Sequence, residues 1–267
     1  MNVAKPLGSQ SVSLLLLPLC LILAPLQAAD SLPLVIDGQE VTHEVFGAYV
    51  LPGVALSLSL AGAGDRAEVT VSIQAGKLER TPTGGWQWSH DQPGGPYTID
   101  LQSVSGGQVT RINAFVLWPF SRVRQQKIGD FRVGKYPDKP LRGLAIYKPP
   151  AGFVGVSREN SDSLVSPHFR LGQFVSKQAG AYPWYLVLKQ GMLLKLERLL
   201  AHIRGKGIAC HSLHIMSGYR TPFYNRAIGN VRYSRHQWGD AADIFVDCAP
   251  LDGRMDDLNH DGKEDFQ

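Results

Sequence analysis

Cysteine is scarce in this chain, three in 267 residues, and so is charge, at 19 % Asp, Glu, Lys and Arg. One of the three, Cys20, sits in an N-terminal apolar run, so Cys210 and Cys248 can form at most one disulfide, and a disulfide-built framework is excluded. After that first run no stretch is apolar enough to cross a bilayer, which argues against a membrane span. A formal net charge of +4 is too small to favour nucleic acid. No internal repeat is visible, so a solenoid is not expected.

The beginning of the chain sets an expected compartment. Lys5 supplies a positive region, Leu14 to Leu26 is apolar but broken by Pro18 and Pro25, and Gln27-Ala28-Ala29 offers a small-residue cleavage site. This reads as a signal peptide over 1–28 and predicts a secreted or periplasmic protein. A lipid anchor on Cys20 does not fit, because the bulky Leu19 precedes it in mid-run. In an oxidising compartment Cys210 and Cys248 are either a disulfide or two buried thiols. Charge is unevenly placed, with nine acidic against two basic side chains in 240–267 and an excess of basic ones before it. That division suggests cation binding at one end and an anionic polymer along the other, against the plainer reading of a solvated surface.

Periodicity changes once along the chain. Leu56, Leu58 and Leu60, then Val69, Val71 and Ile73, then Tyr97, Ile99 and Leu101 alternate with polar residues, the period of strands with one buried face. Pro52-Gly53, Gly84-Gly85, Pro93 to Pro96 and Gly106-Gly107 separate them as turns. The spacing predicts an immunoglobulin-like β-sandwich over 29–120. Trp86 and Trp88 share a strand face there and either pack in the core or stack on a sugar. Residues 121–152, rich in Gly, Pro, Lys and Arg, read as a connection. The remainder, 153–267, reads as α+β. A short helix is expected around Phe169 to Val175, and an amphipathic one through Met192, Leu196, Leu200 and Ile203, stopped by Gly205 and Gly207. Strands are expected at Leu213 to Ser217 and Ala242 to Val246.

Two neighbouring segments carry the candidate chemistry: Ser217-Gly218-Tyr219-Arg220-Thr221-Pro222, and Ser234 to Asp243 with His236 and Gly239 between. A carboxylate entering a buried strand is costly without a partner, so Asp243 needs one. Either a zinc ion joins it to neutral His236, or Asp243 pairs with Arg220 or Arg235 while His236 caps a turn.

The second segment resembles the Ser-x-His-x-x-Gly-x-Ala-x-Asp signature of the zinc D-alanyl-D-alanine carboxypeptidases, whose relatives include the hedgehog signalling domain. The first, with Asn225, is similar to the companion motif of their periplasmic branch. The resemblance implies a hedgehog-like zinc peptidase domain acting on peptidoglycan stem peptides as a D,D-carboxypeptidase or endopeptidase. It implies zinc on His236 and Asp243, Arg220 as the oxyanion partner, and Ser234 as support of the ligand loop.

The family takes its third zinc ligand, a histidine, from a later segment, yet only His260 follows Asp243. Either the domain is C-terminally incomplete here or it is a non-catalytic cell-wall or peptide-binding module. His260 lies in Asp257-Leu258-Asn259-His260-Asp261-Gly262-Lys263-Glu264-Asp265, whose oxygen donors at Asp257, Asn259, Asp261 and Asp265, with the carbonyl of Lys263, follow an EF-hand calcium loop that stops short of its last ligand. A solvated acidic turn is the alternative. A third functional reading is a calcium-dependent adhesion or structural protein.

Overall fold

The structure, a computed structural model, describes Met1 and residues 32–62, 68–104, 107, 109–259 and 261–263. The expected signal peptide lies outside them apart from Met1, as do Gly106, His260 and Asp265. The fold is α+β, rich in strands, with two α-helices among the described residues.

Nine strands fill the N-terminal part: β1 (Leu34–Ile36), β2 (Gln39–Val41), β3 (Val45–Val50), β4 (Leu56–Leu60), β5 (Val69–Ile73), β6 (Lys77–Arg80), β7 (Trp86–Ser89), β8 (Gly94–Ser103) and β9 (Val109–Val116). One sheet runs β2-β1-β4-β7-β6 and is antiparallel throughout. The other runs β3-β9-β8-β5, with β3 and β9 parallel. Alternation does what its period requires: Leu56 and Leu58 of β4 and Ile99 and Leu101 of β8 are buried in one shared core. Trp86 and Trp88 belong to that core, and the Trp88 indole N–H donates to the Ala75 carbonyl at 2.8 Å. Both tryptophans are therefore packing residues, and the sugar-stacking alternative falls. The glycines of Pro93 to Pro96, expected as a plain turn, instead open β8 with an irregularity in its register against β9.

Beyond β9 the strands are short: β10 (Trp118–Pro119), β11 (Lys127–Ile128), β12 (Phe131–Arg132), β13 (Gly152–Val156), β14 (Leu164–Ser166), β15 (Phe169–Arg170) and β16 (Trp184–Leu186). Then come α1 (Gln190–Gly205), β17 (His214–Ser217), α2 (Pro222–Ala227) and β18 (Asp243–Phe245). Residues 121–152 hold the β11–β12 hairpin and bury Ile128, Phe131, Val133 and Tyr136 in the core. The helix expected around Phe169 to Val175 is absent. Phe169 and Arg170 pair with β14, and only a 3-10 turn, Leu171–Phe174, follows. Phe169, Leu171 and Phe174 are all buried, so the apolar spacing that suggested a helix serves a hairpin and a turn instead. Helix α1 does follow its pattern, with Met192, Leu193, Leu196 and Leu200 buried, and the chain leaves it through Gly207 at φ +87°. Cys210 and Cys248 form a disulfide.

The core is continuous between the two parts, and polar bonds cross it: Asn113 Nδ2 donates to the Leu164 carbonyl and Gln190 Nε2 to that of Gly47. Replacing Trp88 with Ala should destabilise the protein by about 3–5 kcal/mol, since a fully buried indole is removed from the core. Chemical denaturation checks this. An unchanged midpoint would mean that Trp88 does not anchor the sheets.

Candidate metal centre

The β17–β18 ladder brings the two motifs together. Ser217 is the register partner of Asp243, so the segment after β17 and the start of β18 lie side by side. Arg220 Nε donates to Ser217 Oγ at 2.8 Å, and its Nη2 donates to Asp243 Oδ2. The Arg220 backbone N–H donates to the His236 carbonyl at 3.2 Å. His236 sits in a 3-10 turn, Arg235–Trp238, and is buried.

Three close packings hold this turn in place. Gly239 closes it at φ +66°, and a Cβ there would come within 2.1 Å of the Val187 carbonyl oxygen. Only glycine allows both, and the Gly239 carbonyl in turn accepts the Lys189 N–H just before α1. Gly218 is equally constrained, since its Cβ would meet the Phe174 backbone at 2.6 Å. The third packing is a buried hydroxyl chain. Tyr136 donates to the Gln237 carbonyl at 2.9 Å, so its single proton is used and Tyr219 must be the donor in the 3.0 Å contact between the two hydroxyls. Burial pushes both phenols well above the usual tyrosine range. At any pH where the protein works they are neutral struts.

The imidazole's orientation fixes its tautomer. Nδ1 of His236 lies 2.7 Å from the Gly218 carbonyl, which can only accept, so Nδ1 carries the proton. In the neutral ring Nε2 is then an acceptor, and it faces Asp243 Oδ1 at 3.3 Å. Two acceptors at that distance repel unless a cation lies between or beside them. A second proton on the ring would serve, and so would a metal. With bonds of about 2.0–2.2 Å to nitrogen and oxygen, two ligands on one tetrahedral zinc stand roughly 3.3–3.5 Å apart, so the donor pair fits two vertices. Asp243 divides its oxygens, Oδ2 accepting from Arg220 as one of the two alternatives expected and Oδ1 facing His236 Nε2.

The other expected residues fall as follows. Ser234 is buried and precedes the turn. Its carbonyl accepts from the Gln237 backbone N–H, but its hydroxyl makes no capping bond. Arg235 pairs with Asp240 rather than Asp243. Among the described residues no group of three His, Cys, Asp or Glu is placed to hold a metal. In the acidic loop, Asp257 accepts from the backbone N–H groups of Asp261 and Gly262, Asn259 Oδ1 from that of Asp261, and Asp261 from that of Lys263. These side chains build a turn framework, and Asp265 is outside the described residues.

Sequence reasoning missed two buried carboxylates. Glu197 accepts the His168 backbone N–H at 3.0 Å and faces His168 Nδ1 at 2.7 Å, while Arg204 Nη1 donates to His168 Nε2. The available signal was a carboxylate on the apolar stripe of α1, four residues after Leu193 and three before Leu200. Asp247 accepts the backbone N–H groups of Asp252 and Gly253 and faces His214 Nδ1 at 3.3 Å. His214 is thus committed to its own carboxylate, and His211 lies against His168.

Comparison with known proteins finds one family model that matches part of the chain. Residues 179–252 match the family Peptidase M15. The match takes in Arg220, Ser234, His236 and Asp243, and M15 peptidases are typically zinc-dependent metallopeptidases. Nothing matched among curated proteins or solved structures.

Tyr136→Phe removes the donor to Gln237 and strands a buried carbonyl in the M15-like segment. It should cost about 1–3 kcal/mol, read as a lowered thermal midpoint. If stability is unchanged, the hydroxyl chain does not hold the turn.

Proposed function

We propose that this protein is an exported zinc metallopeptidase that hydrolyses an amide bond in peptidoglycan stem peptides, as a D,D-carboxypeptidase or endopeptidase. The observation that carries the reading is the His236 Nε2 to Asp243 Oδ1 approach of 3.3 Å, with Nδ1 bound to a carbonyl. The M15 match over the same residues supports metallopeptidase chemistry in general. The peptidoglycan substrate rests on the resemblance of the two motifs to D-alanyl-D-alanine peptidases.

In this reading His236 and Asp243 hold the zinc, which supplies Lewis acidity and a water acidic enough to ionise near neutral pH. Gly218 keeps the ring in the metal-binding tautomer. Arg220 orients Asp243 through Nη2, and its guanidinium is the charge nearest the pair, suited to an oxyanion that develops beside them. Ser234 acts through its backbone at the start of the turn. A leader at 1–28 and the Cys210–Cys248 disulfide support an oxidising, extracytoplasmic location. The two N-terminal sheets are taken as the immunoglobulin-like module and the segment from 153 as the hedgehog-like domain. A calcium ion in the Asp257 to Asp265 loop belongs to the same reading and rests on oxygen spacing alone.

One observation favours a second reading, a non-catalytic cell-wall or peptide-binding module of this fold: the described residues supply two metal donors and no third. The two are separated by expressing the protein and measuring bound zinc and release of D-alanine or stem peptide from purified peptidoglycan. The enzyme reading expects about one zinc per chain and turnover, with both reduced at least a hundredfold in His236→Ala and in Asp243→Ala. Turnover that survives in His236→Ala rules out the proposed centre. Peptide binding without turnover or zinc establishes the binding module.

A further inference from the structure

Behind the turn that carries His236 lies a cavity of about 400 Å³, between the 145–151 segment and the start of α1. Its charge is lopsided. Lys148, Lys189, Lys195 and Arg235 border it against a single carboxylate, Asp240. Asp240 Oδ2 is taken by Arg235, while its Oδ1 is enclosed without a hydrogen-bond partner. Among the described residues none of the three lysines forms an ion pair, so three ammonium groups border one cavity without a salt-bridge partner.

The walls are rigid where it matters. The Arg235 guanidinium carbon stands 4.6 Å from the Tyr147 ring centre and 5.5 Å from that of Trp238, and Nη1 donates to the Ile146 carbonyl. Trp238 Nε1 donates to the Lys148 carbonyl at 2.8 Å, which ties the far wall to the same turn. Pro150 and Met192, both buried, give an apolar floor. Lys189 is held below the usual lysine range by desolvation first and by the nearby Arg235 charge second. Helix α1 opens onto the cavity at Gly191, with no side-chain cap and no acidic residue in its first turn, so its N-terminal field adds to the same sign.

The cavity is distinct from the metal pair. Successive residues of a 3-10 turn are about 120° apart, so Arg235 and His236 face different sides of the turn. His236 faces Gly218 and Asp243, whereas Arg235 faces Tyr147 and Asp240.

We propose that this cavity is an anion-binding site that takes one small oxyanion, a carboxylate or a phosphate group, between Lys189 and Lys195 with Arg235 as its fixed wall. Asp240 is already paired with Arg235, so the three lysines supply the unpaired charges that an oxyanion would meet. A phosphate group and the carboxylate of a peptide C-terminus both fit that description. Isothermal titration at low ionic strength tests the site with two probes, inorganic phosphate and N-acetyl-alanyl-alanine, the C-terminal amide of that dipeptide serving as the uncharged control. We expect one equivalent of at least one probe to bind, with no binding of the amide. Affinity should fall at least tenfold in the Lys189→Gln/Lys195→Gln double variant and stay within twofold in Lys206→Gln, an exposed lysine at the opposite end of α1. Which probe binds identifies the source of the anion. Absence of binding by both, unchanged affinity in the double variant, or an equal loss in Lys206→Gln overturns the proposal. The readout is binding alone, so it stands or falls independently of hydrolysis at the metal pair.

Discussion

The proton on His236 Nδ1 is shared with the Gly218 carbonyl at 2.7 Å, and everything the ring can do follows from where that proton is. With Nδ1 occupied, only Nε2 is available, and the fold points it at a carboxylate oxygen that is itself an acceptor. Such a contact cannot be a resting hydrogen bond of the neutral ring. A cation must complete it, and the residues around decide which. Arg220 already satisfies the other oxygen of Asp243 and places a fixed positive charge beside the pair.

This arrangement is built from backbone more than from side chains. Gly218 contributes a carbonyl because its lack of a Cβ lets the strand end lie on Phe174, and Gly239 lets the turn lie on Val187. Tyr219 and Tyr136 then reach the turn from outside, the second from a segment a hundred residues away in sequence. Such a site is preorganised by packing: moving Nε2 means breaking a strand pair, a glycine contact or a buried hydroxyl chain. The Cys210–Cys248 disulfide closes the β17–β18 region at its far end and limits the unfolded chain, a contribution of roughly 4 kcal/mol for a loop of this length.

The legible parts of the sequence were those whose signal is local. Strands β4, β5 and β8 follow a period of two, and α1 follows its apolar stripe to the glycines that end it. Phe169 to Phe174 misled because its apolar spacing suits a helix as well as a hairpin, and the choice is made by pairing with β14, which the segment itself does not encode. His236 and Asp243 could be nominated because their segment resembles the zinc peptidase signature, spacing alone having left the pair open. The Gly218 acceptor could not, since a carbonyl has no residue type to recognise. Tyr136, read as part of a featureless connection, and Glu197, whose partners lie elsewhere in the chain, were hidden for a related reason: their roles exist only through contacts distant in sequence.

On the two proposals, one turn borders two chemistries of opposite demand. On one side it presents the His236 imidazole to the Asp243 carboxylate at the start of β18, a pair suited to a cation. Toward α1 it presents Arg235 among lysines, a set that attracts an anion. The two must be insulated, because an ammonium near Nε2 would compete with a metal and a carboxylate among the lysines would neutralise them. Between them stand the rings of Tyr147 and Trp238 over the Arg235 guanidinium, whose Nη1 donates to the Ile146 carbonyl and whose Nη2 pairs with Asp240.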